Sequence, residues 1–156
     1  MCRLVKMKKG DVMYDLGSGE GDALIVAAKE FGATGVGIEI DPLRVWQSNF
    51  KIKQSKLQDK ILIIKKNFFQ VDLSNATVVF AYLVPKALKN LKNKFLTELK
   101  PGARVVCYRY TIDYLPLIAE DKEQKIYIYE IPKKSNKKIV VSSKGKQKRV
   151  NKKRDL

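Results

Sequence analysis

The chain has 156 residues, 45% of them apolar, and a formal net charge of +16, a size and composition that fit one domain with one core. No apolar run approaches the roughly 18 residues of a membrane span, and MCRLVKMKKGD lacks the apolar stretch of a signal peptide, so no membrane partner is expected. Histidine is absent, which excludes Ser-His-Asp triads and imidazole acid–base catalysis; Cys2 and Cys107 lack metal-ligand spacing and read as reduced thiols of a cytoplasmic protein.

The charge is unevenly placed. Residues 1–132 carry 21 lysines and arginines against 15 acids, whereas residues 133–156 carry 11 against one. The first stretch is predicted to be the folded domain. The second is too poor in apolar residues to offset its ordering entropy and is predicted to be a flexible basic tail.

In chain order, Asp11 to Leu16 reads as a first strand and ends in Gly17-Ser18-Gly19-Glu20-Gly21. A helix follows with Leu24, Ala27, Ala28 and Phe31 at helical spacing, closed by Gly32. Val36 to Ile40 is the second strand. Asp41-Pro42 is an N-cap with proline at the first helical position, and Leu43, Trp46 and Phe50 share one face of that helix. Ile61 to Ile64 is an unbroken apolar run, as buried parallel strands are. Thr77 to Leu83 is a fourth strand. Pro85 opens a third helix with Leu88, Leu91, Phe95 and Leu99 turned inward, and Pro101-Gly102 leads into a fifth strand, Arg104 to Tyr110. Tyr114 to Ala119 and Lys125 to Ile131 complete the strands. The pattern predicts an α/β fold, a mostly parallel seven-strand sheet with one antiparallel member and helices on both faces.

Strand, glycine loop, helix, strand and acid form the layout of a nucleotide-binding βαβ unit. Ligands in such sheets lie beyond the carboxyl ends of the strands, which here hold Asp15 to Gly21, Glu39 and Ile40, Asn67 and Phe68, and Tyr82 to Val84. The acid before the first glycine and the compact G-x-G-x-G favour S-adenosylmethionine (SAM). Gly17, Ser18 and Gly19 then pass close to its methionine part, Asp15 takes the amino group, and Glu39 takes the ribose diol. Asn67 bonds the adenine amine, and Ile40 and Phe68 pack on its faces. A dinucleotide is the rival ligand. It prefers G-x-G-x-x-G, whereas position 22 is Asp22, an acid beside the place of a pyrophosphate.

DVMYDLGSGEGD, GVGIEIDP, NFFQVDLSNATVVFAYL and ELKPGARVVCYRY together resemble the small archaeal seven-β-strand, non-SET protein lysine methyltransferases, which have mitochondrial relatives. The resemblance runs from about Leu4 to Ile131, and the N-F-F segment is its most specific part. It implies a Rossmann-like class I methyltransferase that binds SAM at Asp15, Gly17, Gly19, Glu39, Asn67 and Phe68 and methylates proteins with exposed lysines. Two departures stand out. Family members carry an N-terminal segment over the SAM pocket, whereas this chain starts almost directly at the first strand, which predicts slow, broad turnover. Cys107-Tyr108-Arg109-Tyr110 replaces small, polar and acidic residues of the family, and Arg109 would repel a lysine.

The chemistry expected is methyl transfer to a lysine amine, with Tyr82 and Tyr108 as walls of the acceptor channel and the chain itself among the substrates. An alternative is an RNA methyltransferase or a nucleic-acid-binding SAM domain, using residues 133–154 on phosphates. Against base methylation, Ala81-Tyr82-Leu83-Val84 replaces the N-P-P-Y-like loop of amino-directed base methyltransferases. A small-molecule methyltransferase of similar size is a third reading, disfavoured by the N-F-F segment.

Overall fold

A computed structural model describes residues 1–133. The expectations about the basic tail lie outside the described residues.

The elements run β1 (Val12–Leu16), α1 (Asp22–Phe31), β2 (Thr34–Glu39), α2 (Pro42–Gln54), β3 (Ile61–Lys65), β4 (Val78–Ala81), α3 (Pro85–Asn90), α4 (Lys92–Glu98), β5 (Arg104–Tyr108), β6 (Leu117–Asp121) and β7 (Ile126–Glu130). They form one seven-stranded sheet in the order β3-β2-β1-β4-β5-β7-β6. β1 to β5 pair in parallel, and β7 is antiparallel to both of its neighbours, so the expected single antiparallel strand is β7. The chain order reverses between β1 and β4, the switch point at which such sheets hold ligands.

Alternation along the strands divides the core into two layers. One face packs Met13, Val78, Val106 and Ile128 against Leu24, Ala27 and Ala28 of α1 and Ile52 of α2. The other packs Tyr14, Leu16, Val79 and Val105 against Leu88, Leu91, Phe95 and Leu99. Glycine at Gly35 and Gly37 lets α1 sit close on β2. A Cβ at Gly37 would lie 2.6 Å from Ile63 Cδ1 and 2.8 Å from Leu24 Cδ1.

The amino ends of three strands are tied by one buried network. Asp11 Oδ1 accepts from Arg104 Nη2 at 2.6 Å and Thr77 Oγ1 at 2.8 Å, and Asp11 Oδ2 accepts from the Lys8 amide. Arg104 Nη1 also donates to the carbonyls of Val5 and Lys6. Burial alone would raise the Asp11 carboxyl, but the bonds from Thr77, Arg104 and Lys8 outweigh it and hold it below the usual range.

Three expectations change, and the α2 face that Leu43, Trp46 and Phe50 share as read proves to be exposed. The helix after Pro85 is two helices that meet at Leu91, although Leu88, Leu91, Phe95 and Leu99 all point inward as read. β3 is an edge strand rather than a fully buried one, and Leu62 is 60% exposed because no helix among the described residues covers that side of it. The apolar face of α2 carrying Leu43, Trp46 and Phe50 looks outward, with Trp46 and Phe50 stacked at 5.9 Å, while Ser48 and Ile52 face the sheet. The fourth and fifth strands end early, at Ala81 and Tyr108, so Tyr82 and Arg109 lie just past the strand ends. Asp41 caps α2 as expected, accepting from the Leu43 amide at 2.8 Å. No helix among the described residues is long and apolar enough to cross a membrane.

Candidate cofactor and acceptor site

Because β2, β1, β4 and β5 are neighbours, their carboxyl ends form one rim. The glycine loop turns at the end of β1 with Gly17, Gly19 and Gly21 at φ 83°, 54° and 80°. Side chains rarely adopt that left-handed region, so glycine is required there. The Gly17 and Ser18 amides donate to the Ile38 carbonyl at 2.8 and 3.1 Å, which anchors the loop to β2.

Glu39 completes the anchor. Its Oε2 accepts from the Gly19 amide at 2.9 Å, and its Oε1 accepts from the amides of Ile40 and Asp41 at 2.8 and 2.9 Å. The side chain is buried, and Oε2, holding one protein bond, retains capacity for another donor. Asp15 lies beside it, 4% exposed. Burial, and then the charge of Glu39, push the Asp15 carboxyl up to about 7.

Two buried carboxyl groups at the head of a glycine loop repel an anion and suit a cation. The start of α1 repeats the message. Asp22 occupies its first turn, and Lys51 of α2 bridges Asp22 at 2.9 Å and the loop residue Glu20 at 2.6 Å. A helix N-terminus that otherwise favours phosphate is thus already supplied with negative charge.

Ser18 is turned inward. Its Oγ stands 2.6 Å from where a Cβ on Gly37 would be, and it finds no hydrogen-bond partner among the described residues. The side chain fills the space that Gly37 leaves between loop and β2. Ile40 is exposed above the rim. Asn67 caps the turn after β3, accepting from the Phe69 amide through Oδ1 at 3.0 Å. Phe68 is half-buried and lies 4.6 Å from the exposed Phe69 ring.

Beyond the switch point, Leu83 closes on the glycine loop, its Cδ2 3.7 Å from the place of a Gly17 Cβ. The rings of Tyr82 and Tyr108 meet edge to face at 4.8 Å, both open to solvent. Arg109 follows in a left-handed conformation, φ 73°. Its amide donates to the Lys125 carbonyl at 2.7 Å, and its Nη1 donates to the Tyr82 hydroxyl at 3.4 Å. Among the described residues no group of His, Cys, Asp or Glu could hold a metal ion.

Sequence reasoning missed two parts of this arrangement. The Lys51 bridge joins charges far apart in the chain, which no local period reveals. The seat of Arg109 on Tyr82 depends on the left-handed turn after β5, and its only sequence signal was a place at a strand's carboxyl end.

Residues 15–118 match the family model of the ANTKMT methyltransferase domain. The chain is 40% identical over 113 residues to a protein-lysine N-methyltransferase of Saccharolobus islandicus, covering 72% of this chain and 70% of that one. It is 28% identical over 122 residues to the adenine nucleotide translocase lysine N-methyltransferase of Mus musculus, covering 76% of this chain and 53% of that protein; the chain thus spans about half of that longer relative. Among solved structures, an RNA methyltransferase of Salinibacter ruber in complex with S-adenosyl-L-homocysteine superposes with a TM-score of 0.75 at 34% identity, covering 84% of this chain and 87% of that one.

Proposed function

The chain belongs to the ANTKMT methyltransferase domain family, and from that premise we propose that it transfers methyl groups from SAM to lysine side chains of proteins, with broad preference. One observation carries the cofactor assignment, the buried Asp15–Glu39 pair at the glycine loop. SAM bears an ammonium and a sulfonium and so meets this pair favourably, whereas a pyrophosphate meets repulsion.

The residues divide the work. Gly17 and Gly19 admit backbone close to the methionine part, and Ser18 supports the loop from beneath. Asp15 faces the amino group, and the free position on Glu39 Oε2 receives a ribose hydroxyl. Ile40 and Phe68 flank the adenine. Asn67 Oδ1 already accepts the Phe69 amide, so one acceptor position remains for the adenine amine.

When bound, SAM would supply an electrophilic methyl to the lysine nitrogen, with S-adenosyl-L-homocysteine as the leaving group. The amine must arrive neutral, against a solution pKa near 10.4. Tyr82 and Tyr108 wall the approach from the ends of β4 and β5, and their hydroxyls orient the nitrogen. Desolvation against the rings and the like charge of the sulfonium both lower the amine pKa. Alignment then supplies most of the acceleration.

A second reading, methylation of RNA, is favoured by the Salinibacter ruber relative and by the basic residues 133–154. Incubation of the protein with labelled SAM and a cell extract separates the two. Label removed by protease and retained after nuclease is the expected result. Label removed by nuclease alone overturns the lysine reading.

A further inference from the structure

Beside the tyrosine pair lies a cavity of about 490 Å³ lined by Tyr108, Arg109, Glu123, Gln124 and Lys125. Its position follows from two left-handed residues. Arg109 at φ 73° and Lys125 at φ 55° are joined by the 2.7 Å bond from the Arg109 amide to the Lys125 carbonyl. That bond continues the β5–β7 pairing by one step past Tyr108↔Ile126. The strand ends are thereby held, and the Arg109 side chain is aimed back at Tyr82.

The charge of this cavity is positive, with two cations, Arg109 and Lys125, against one carboxylate, Glu123. Among the described residues, neither cation has a carboxylate within ion-pair distance. The polar partner of the Arg109 side chain is the neutral Tyr82 hydroxyl at 3.4 Å, which leaves most of the guanidinium donors open. A guanidinium with spare donors is the group best shaped for a carboxylate.

We propose that this cavity is a subsite for an acidic side chain next to the acceptor lysine, with Arg109 as the specificity-determining residue. The inference rests on the lysine reading and sharpens it. The acceptor amine passes over the Tyr82–Tyr108 pair while a neighbouring Asp or Glu of the same substrate enters the cavity. A neighbouring Lys or Arg there meets Arg109 and Lys125 instead and is repelled. A rim charge acts chiefly on encounter and binding, so the effect falls on KM rather than kcat and weakens with salt.

The test uses the full chain and two synthetic peptides, each with one lysine, differing only in whether glutamate or arginine flanks it. For the wild type, kcat/KM for the glutamate peptide exceeds that for the arginine peptide by about fivefold at low salt, the scale of one exposed charge pair. Arg109→Glu reverses the order, and Arg109→Lys retains it in weakened form, with SAM affinity unchanged in both. Equal rates on both peptides, or an order unaltered by Arg109→Glu, overturn the subsite while leaving lysine methylation standing. Absence of transfer to either peptide, with RNA labelled instead, removes both the subsite and the reading on which it rests.

Discussion

Asp15 and Asp11 are both buried, yet their surroundings act on them in opposite directions. Asp15 receives no compensating donor among the described residues, and burial with Glu39 nearby lifts it to about 7. Unfolded, it titrates near 3.9. Between those values the folded state holds the extra proton, so this residue's contribution to stability falls as pH rises from about 4 to about 7 and is level above. The full fall is about 4 kcal/mol as an upper bound. Asp15→Asn is expected to remove that part of the slope in urea unfolding measured across pH. SAM binding at pH 6 to 7 should release a proton from Asp15, read as a buffer-dependent heat in calorimetry that Asp15→Asn abolishes. Glu39→Ala removes an acceptor from three amides as well as from the ribose. It should weaken SAM by roughly 10- to 100-fold, from about 1.5–3 kcal/mol per charge-assisted bond, and calorimetry checks this. Cys107 is buried, with its thiol pushed up to about 12 by that burial, so a disulfide reagent should modify it only after unfolding.

Secondary-structure elements are held to one another by contacts that no short window of sequence contains. The Arg104–Asp11–Thr77 network spans 66 and 93 positions, and all three residues read only as the first residues of strands. Arg104→Ala leaves a buried carboxylate without its cation and should cost about 3–5 kcal/mol, whereas the pair Asp11→Asn with Arg104→Met should cost much less. Asp11 is depressed in the folded state. Its stabilisation is therefore present above pH 4 and lost as pH falls through its folded value, the reverse of Asp15. The glycine loop, the acid of β2 and the Asp41-Pro42 start of α2 were legible because each is a local backbone requirement. β3 and α2 were less so. An apolar run is the same letters whether a strand is central or at the edge, and Leu43, Trp46 and Phe50 repeat at helical spacing whether that face meets the sheet or solvent. Gly37 illustrates the same point. Its small size matters because of Ile63, Leu24 and Ser18, and Gly37→Ala should lower stability by about 1–3 kcal/mol through overpacking, measurable by thermal unfolding.

At the scale of the whole molecule, residues 1–133 hold the seven-stranded sheet and two core layers. A chain ending at residue 133 should keep a near-native melting temperature. Loss of residues 134–156 should weaken binding to polyanions and flatten its salt dependence, since each neutralised phosphate adds to the slope. The many lysines between Lys133 and Lys153 also make the protein a candidate substrate for itself. Intact-mass spectrometry after incubation with SAM should show added methyl groups confined to that stretch. A protein that binds SAM and adds mass neither to itself nor to any basic protein would contradict the enzyme reading at this level.

The Asp11–Thr77–Arg104 network sits where β1, β4 and β5 begin, and the glycine loop, Tyr82 and Arg109 sit where the same strands end. Four or five residues of extended chain, about 17–20 Å from one set to the other, separate the two. Substitutions at the rim therefore leave the fastening of the sheet untouched. Over generations such a scaffold can drift in what it recognises at one end while purifying selection acts on the other, so closely related copies of this fold can diverge in target long before they diverge in shape.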